Sequence, residues 1–125
     1  MKFDNPTKRI LVITIDEPLA EVIPALLRDA YQCDSAYEHE AVLEALRQAD
    51  EYDLIICQVA ALEKEEKFLA WALRTEIPII SMAVRPVNQV SKVIRERCIF
   101  LQVPFEKEQL RAVVRGVFEI RRKLA

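Results

Sequence analysis

Glycine is almost missing from this sequence, which has Gly116 as its single example. Loops that cradle phosphate groups need several glycines at fixed spacing, so a P-loop and a dinucleotide-binding fingerprint are excluded. Cysteine is scarce as well: Cys33, Cys57 and Cys98 lie far apart and match no zinc or disulfide spacing. We expect all three to be free thiols buried in strand-like segments of a cytoplasmic protein.

Long apolar runs and a strong net charge are missing too. No run approaches the roughly 20 residues of a membrane span, and the start of the chain, Met1 to Pro6, lacks the apolar stretch of a signal peptide. The formal net charge is −2 and the pI is near 5.5, which argues against a basic nucleic-acid-binding surface. We therefore expect no membrane partner and no direct nucleic-acid partner.

The sequence does contain a strict alternation of strand-like and helix-like segments. The strand-like runs are apolar throughout, as in parallel sheets that are covered on both faces. Right-handed crossovers between such strands produce a doubly wound, three-layer α/β/α sandwich, and 125 residues fit one such domain with an ordered core over about residues 8–124. The predicted strands cover residues 9–15, 32–37, 53–58, 78–82 and 98–102, and the predicted helices cover 16–30, 40–49, 62–75, 87–96 and 107–123.

Four short stretches carry a resemblance to a known family. They are Arg9 to Val12 followed by Asp16-Glu17-Pro18, then Tyr52 to Ile56, then Ile77 to Ile80, and finally Phe100 to Phe105. Their order and spacing, over nearly the whole chain, resemble the receiver domain of response regulators in bacterial two-component signalling. The resemblance implies a flavodoxin-like sheet with strand order 2-1-3-4-5. The last stretch follows the family's aromatic-Leu-x-Lys-Pro-Phe pattern at every position but the lysine.

The resemblance also implies where phosphoryl chemistry would lie. Receiver domains use an aspartate after the third strand as phosphoacceptor, a hydroxyl after the fourth strand and a lysine after the fifth, which stabilise the phosphoryl charge. This chain has Gln58, Ala83 and Val103 at those three positions. A carboxamide is no nucleophile for phosphoryl transfer, and losing even one transition-state stabiliser typically costs about 2.7–4 kcal/mol. The pocket is therefore predicted to be degenerate.

The metal-binding part of the pocket is predicted to be depleted as well. The family holds Mg²⁺ with an acidic pair after the first strand, because hard cations prefer carboxylate oxygens. That pair becomes Ile15 and Asp16 in one alignment and Thr14 and Ile15 in the other, with Glu17 nearby. Asp16 and Glu17 are the residual candidates for weak divalent binding, and we expect no resident metal or cofactor.

Three functions follow from these residues. The first is a pseudo-receiver: a non-enzymatic module of phosphorelay signalling that binds another signalling protein or domain without being phosphorylated. The second is an atypical response regulator that still accepts a phosphoryl group or a divalent cation around Asp16. The third is a flavodoxin-like domain that binds a small ligand at the carboxyl ends of its strands, although the sequence has no cofactor motif.

The resemblance implies a partner or homodimer surface on the fourth predicted helix, the fifth strand and the last helix. Its predicted members, together with the basic Arg97, are Lys92, Arg95, Phe100, Gln102, Arg111 and Arg115. Leu69, Ala72 and Leu73 are predicted to face inward on the third helix. A second candidate is an exposed aromatic anchor of Phe68 and Trp71, because Trp71 lies about 200° around the helix from Leu69 and tryptophan is enriched in binding hot spots. The alternative is a half-buried aromatic pair that packs along its own helix.

Several other residues receive structural interpretations. Ser81 is predicted in the interior of the fourth strand, away from the hydroxyl position, and His39 is predicted to be a solvated loop residue. Phe100 is predicted to be fixed and packed near the last helix. The Val103–Pro104 peptide bond is expected to be cis, and the charged run from Glu63 to Lys67 is interpreted as a solvated helix start.

Overall fold

The computed structural model describes residues 8–124, with side chains described through residue 120. Within these residues there are five strands and six α-helices, and two short 3₁₀ turns cover Ala49–Glu51 and Val87–Gln89. The strands are β1 (Arg9–Ile13), β2 (Gln32–Ala36), β3 (Leu54–Gln58), β4 (Ile79–Ala83) and β5 (Ile99–Gln102). The helices are α1 (Glu17–Ala25), α2 (His39–Arg47), α3 (Val59–Lys64), α4 (Glu66–Ala72), α5 (Lys92–Arg97) and α6 (Lys107–Leu124).

The five strands form one parallel sheet in the order β2-β1-β3-β4-β5. This confirms the predicted flavodoxin-like order, with the polar β2 at one edge. The strands at the centre are fully buried, which is the physical reason for their continuous apolar sequence. None of the helices in the described part of the chain is long and apolar enough to cross a membrane.

Alternate residues of each strand face opposite layers. Leu11 and Ile13 of β1 pack in a cluster with residues of α2, α3, α4 and α5, whereas Ile10 and Val12 pack with residues of α1 and α6. Two helical layers therefore enclose the sheet, as predicted. The carboxyl ends of all five strands lie at one edge of this sandwich, which is where parallel α/β folds bind ligands.

The first helix is shorter than the apolar spacing predicted. Asp16 caps it, because its Oδ1 accepts a hydrogen bond from the N–H of Leu19 at 3.0 Å. The helix ends at Ala25 rather than Ala30, and residues 26–30 form turns. Pro24 lies in the last turn and donates no backbone hydrogen bond, which limits continuation of the helix. Val22 is 49% exposed.

The third predicted helix is two helices that meet at Glu65. Helix α3 begins at Val59, directly after Gln58, and α4 starts at Glu66. Glu65 is buried, and its Oε1 lies 2.8 Å from Nδ1 of His39, close enough for the imidazole to donate a hydrogen bond to the carboxylate. Two predictions are therefore wrong in part. The charged run is exposed at every residue except Glu65, as expected, but it is the junction of two helices and not the start of one. His39 is exposed, as expected, but it begins α2 and has an acidic partner.

The fourth predicted helix is also divided. Residues 87–89 form a 3₁₀ turn, and α5 covers six residues. Its last residue, Arg97, reaches back to the end of α4 and donates hydrogen bonds to the carbonyl oxygens of Ala72, Thr75 and Ile77. The basic residue assigned by sequence to a partner surface therefore joins two helices.

The three cysteines are free thiols. Cys57 is completely buried, whereas Cys33 and Cys98 are only half-buried and Cys98 lies outside the strand. Burial raises the pKa of all three thiols, that of Cys33 to about 11. At neutral pH they therefore remain protonated and poorly nucleophilic.

Candidate functional site

The predicted pocket residues come together at the carboxyl edge of the sheet. Ile15 follows β1, Gln58 ends β3, and Ala83 ends β4. Since β3 pairs with both β1 and β4, Gln58 lies between the other two. Val103 follows β5, and its N–H donates to the carbonyl oxygen of Ala83 at 2.8 Å. The sequence positions identified through the resemblance thus share one edge.

Gln58 is the central side chain of this edge, and it already has a partner. Its Oε1 accepts a hydrogen bond from the N–H of Ile15 at 2.7 Å. The carboxamide therefore connects the end of β3 to the loop between β1 and α1. An acceptor aspartate in this place needs a free, anionic oxygen, whereas the oxygen of Gln58 is neutral and holds the backbone.

The remaining carboxylates of the first loop also have structural partners. Asp16 caps α1, and its carbonyl oxygen accepts a hydrogen bond from Oγ1 of Thr14 at 2.6 Å. Oε2 of Glu17 accepts from the hydroxyl of Tyr37 at 2.9 Å, which raises the pKa of Tyr37. Within the part of the chain that the structure describes, no group of three or more His, Cys, Asp or Glu side chains is placed to hold a metal ion.

At the ends of β4 and β5, the positions that correspond to the family's hydroxyl and lysine are Ala83 and Val103. Ala83 is buried, and its carbonyl oxygen accepts from Nε2 of Gln102 at 2.8 Å as well as from Val103. Val103 is half-buried and precedes a cis peptide bond to Pro104, as predicted. This side of the edge therefore cannot neutralise a bound phosphoryl group through the positions that the family uses.

Sequence reasoning missed one cation at this edge. Arg85 lies two residues after Ala83, and its guanidinium forms an ion pair with the carboxylate of Glu63 on α3. The pair joins the β4–α5 loop to the helix that follows Gln58. The sequence offered two signals: a basic residue two positions after the end of β4, and an acidic residue about one helical turn after the end of β3, the neighbouring strand.

Ser81 does not substitute for the missing hydroxyl. It is fully buried inside β4, and its Oγ lies 3.4 Å from Sγ of Cys57 on β3. This confirms the prediction of an interior strand residue. A hydroxyl in the core has no access to a ligand at the edge of the sheet.

The predicted partner surface is only partly a surface. Lys92 and Arg95 are exposed on α5, with Nζ of Lys92 at 3.7 Å from Oε1 of Glu96, and Gln102 is exposed on β5. Phe100 is half-buried among residues under α2, α3, α4 and α5. The prediction that it packs near the last helix is wrong, because α6 covers the opposite face of the sheet.

Arg111 and Arg115 lie on another side of the molecule. Nη1 of Arg111 donates to Oδ1 of Asp29 at 2.6 Å and to the carbonyl oxygen of Leu26 at 3.2 Å, and its side chain is 19% exposed. Arg115 is close enough to Tyr31 for its charge to affect the pKa of that phenol. Arg111 and Arg115 lie about one helical turn apart, so their side chains share one face of α6. That face meets the end of α1. These two residues therefore do not extend the α5–β5 surface.

The predicted aromatic anchor is wrong for Phe68, which is fully buried. The ring of Trp71 is half-buried and stacks on Phe68 with centroids 6.2 Å apart. Leu73, expected inside, is 46% exposed. Because the break at Glu65 restarts the helix, α4 turns Phe68 and Ala72 toward the sheet, and the half-buried alternative describes Trp71.

The architecture is shared with chains of known structure at low sequence identity. A fusion chain containing part of the trimeric coiled coil of yeast Spc42 is 19% identical, with a TM-score of 0.80 over 98% of this chain and 85% of that chain. A response regulator receiver protein from Sinorhizobium medicae is 15% identical, with a TM-score of 0.74 over 94% of this chain and 99% of that chain. The chemotaxis response regulator CheY4 of Vibrio cholerae is 18% identical, with a TM-score of 0.72 over 89% of this chain and 98% of that chain.

Neither a protein-family model nor a curated protein sequence matches the chain. The structural matches establish the fold: this chain has the CheY-like, flavodoxin-type fold of response-regulator receiver domains. The structural likeness extends over nearly the whole length of this chain and of each of those receiver domains.

Proposed function

We propose that this chain is a receiver-like signalling module that works by protein–protein contact without aspartyl phosphorylation and without catalytic activity. The hydrogen bond from the N–H of Ile15 to Oε1 of Gln58 carries this proposal. This contact supports a structural role for Gln58, which anchors the backbone of the loop after β1. The carboxamide is uncharged and is no nucleophile for phosphoryl transfer.

The surroundings of Gln58 support the same function. Asp16 serves α1 as its cap and Glu17 serves Tyr37, so a second candidate acceptor at Asp16 would have to give up a helix cap worth about 1 kcal/mol. Ala83 and Val103 supply no compensating charge. A bound small ligand has no comparable support, because the polar groups described above at this edge bond to one another.

The contact surface proposed for the partner is formed by α5 and β5. Lys92, Arg95 and Gln102 are exposed there, and Val93 is 51% exposed beside them. An apolar side chain rimmed by cationic groups suits a partner surface with matching apolar and acidic groups. The partner would be another signalling protein or domain, or a second copy of the chain.

A titration with Mg²⁺ and beryllofluoride, followed by amide NMR spectra, tests the absence of phosphoryl chemistry. We expect the spectrum to stay unchanged, because Gln58 has no nucleophilic carboxylate and the carboxylates of Asp16 and Glu17 have structural partners. A receiver domain with a complete pocket is the positive control. Saturable shifts centred on Asp16 and Gln58 would instead support an atypical phosphoacceptor.

Replacing Gln58 by aspartate tests how far the pocket has decayed. We expect Gln58→Asp to remain unlabelled by a small-molecule phosphoryl donor, since Ala83 and Val103 still cannot stabilise the transferred charge. The labelling is measured by intact-protein mass spectrometry. Efficient labelling of this variant would show that one substitution alone disabled the site.

A further inference from the structure

Helix α5 is weakly anchored by its own side chains. It has six residues, and Ile94 is its one buried side chain, with Val90 buried just before it. The loop that leads to it includes Val84, which is 76% exposed. The other side chains on α5 before Arg97 are exposed: Lys92, Val93, Arg95 and Glu96. Elements with so few buried contacts open at a low free-energy cost unless another interaction holds them.

Arg97 provides that interaction. Its Nε donates to the carbonyl oxygen of Ala72 at 2.7 Å, and its Nη2 donates to the carbonyl oxygens of Thr75 at 3.0 Å and Ile77 at 2.6 Å. The three acceptors belong to the last residue of α4 and to the segment that leads into β4. The planar guanidinium presents several donors in a fixed arrangement, so one side chain serves all three.

The electrostatics of α4 favour the same contact. The carbonyl groups at the end of a helix carry partial negative charge and lack partners within the helix. Helix α4 has no basic residue in its own last turn. The cation that satisfies its end comes from α5, 25 residues along the chain from Ala72. The position of α5 is thereby coupled to the end of α4.

We propose that Arg97 is a positioning residue that keeps α5, and with it the proposed partner surface, in one conformation. The inference rests on the proposed function only in that it treats this surface as the one that binds a partner. Without the three hydrogen bonds, α5 opens locally while the sheet stays folded. An opened α5 carries Lys92 and Arg95 away from β5, so the apparent affinity for a partner falls in proportion to the closed fraction.

Native-state hydrogen exchange on the whole chain tests this inference. The amide of Cys98, which donates to the carbonyl oxygen of Ile94 at 3.1 Å, reports on α5, and the amide of Ile55, which donates to Pro78, reports on the sheet. In Arg97→Ala we expect exchange at Cys98 to accelerate by on the order of tenfold to a hundredfold, because several charge-assisted hydrogen bonds are lost. Exchange at Ile55 should change much less.

Two further variants make the result decisive. Arg95→Ala removes an exposed arginine from the same helix and should leave exchange at Cys98 unchanged. Arg97→Lys keeps a cation with fewer and differently placed donors, and it should accelerate exchange at Cys98 by an intermediate factor. If Arg97→Ala fails to fold, Arg97→Lys decides the question.

Two outcomes would overturn the inference. Unchanged exchange at Cys98 would show that Arg97 does not hold α5, and equal acceleration at Cys98 and Ile55 would show that it acts on global stability. The measurement involves neither a partner nor a phosphoryl mimic. Its failure would therefore leave the proposed function standing, and binding of the phosphoryl mimic would leave this inference standing.

Discussion

The two ends of the sheet are both crossed by polar contacts, but the contacts join different parts of the chain. At the amino end, the N–H of Arg9 donates to Oδ2 of Asp53 at 2.9 Å, while the N–H of Asp53 donates to the carbonyl oxygen of Arg9 at 2.8 Å. These bonds continue the pairing of β1 with β3. At the carboxyl end, Gln58 joins the end of β3 to the loop after β1, and His39 joins the start of α2 to the junction between α3 and α4.

This difference bears on function because the carboxyl end is where folds of this type bind ligands. Polar groups that serve a ligand have to be available to it. Here the polar groups named above bond to the backbone or to one another, as those at the amino end do, although they join loops and helices instead of continuing the strand pairing. The comparison teaches that the carboxyl edge of this fold can use its polar groups for structural contacts.

The largest effect is expected from His39→Ala, which breaks the contact at the α3–α4 junction. The carboxylate of Glu65 is buried, and this variant leaves it without its partner. We expect the free energy of unfolding to fall by about 1–2 kcal/mol. The loss is smaller than for a fully buried pair, because the His39 side chain is 59% exposed. Urea denaturation measures the change. The double variant with Glu65→Gln should recover part of it, because the uncompensated charge is gone, and full additivity of the two substitutions would exclude a direct coupling.

A smaller effect is expected from removing the Gln58 contact. Gln58→Ala should lower the free energy of unfolding by about 1 kcal/mol, since the N–H of Ile15 loses its acceptor. Gln58→Glu is the matched control, because it has the same length and keeps an acceptor oxygen. If Gln58→Glu loses as much stability as Gln58→Ala in chemical denaturation, an acceptor oxygen on a side chain of this length is not what stabilises the edge.

The smallest effect tests the amino end through pH. Burial and the hydrogen bond to Asp34 raise the pKa of Tyr52 to about 12. A raised folded-state pKa means that the stability contributed by the protonated phenol is present below its unfolded pKa of about 10 and is lost as the pH rises through about 12. Tyr52→Phe should therefore lose less stability than the parent chain over that interval, as followed by circular dichroism in denaturant. Parallel pH profiles for the two chains would contradict the assignment.

The sequence predicted the strands, their order and the positions that share the carboxyl edge. Those features depend on local apolar patterns and on the resemblance, as the interior position of Ser81 illustrates. The break at Glu65 was missed because its partner His39 lies 26 residues away. The direction of Arg111 was missed because Asp29 is 82 residues away along the chain. Contacts between residues so far apart in sequence leave no trace in the helical periodicity. The predictions for Phe68 and Leu73 were wrong for the same reason.

The bond between Gln58 and Ile15 also constrains how this chain can change. Replacing Gln58 by the shorter aspartate would first release the neighbouring loop, and we expect no gain in phosphoryl transfer until Ala83 and Val103 had also changed. Aspartyl phosphorylation at this edge would therefore require several substitutions together, and the first of them alone would lower the stability of the fold.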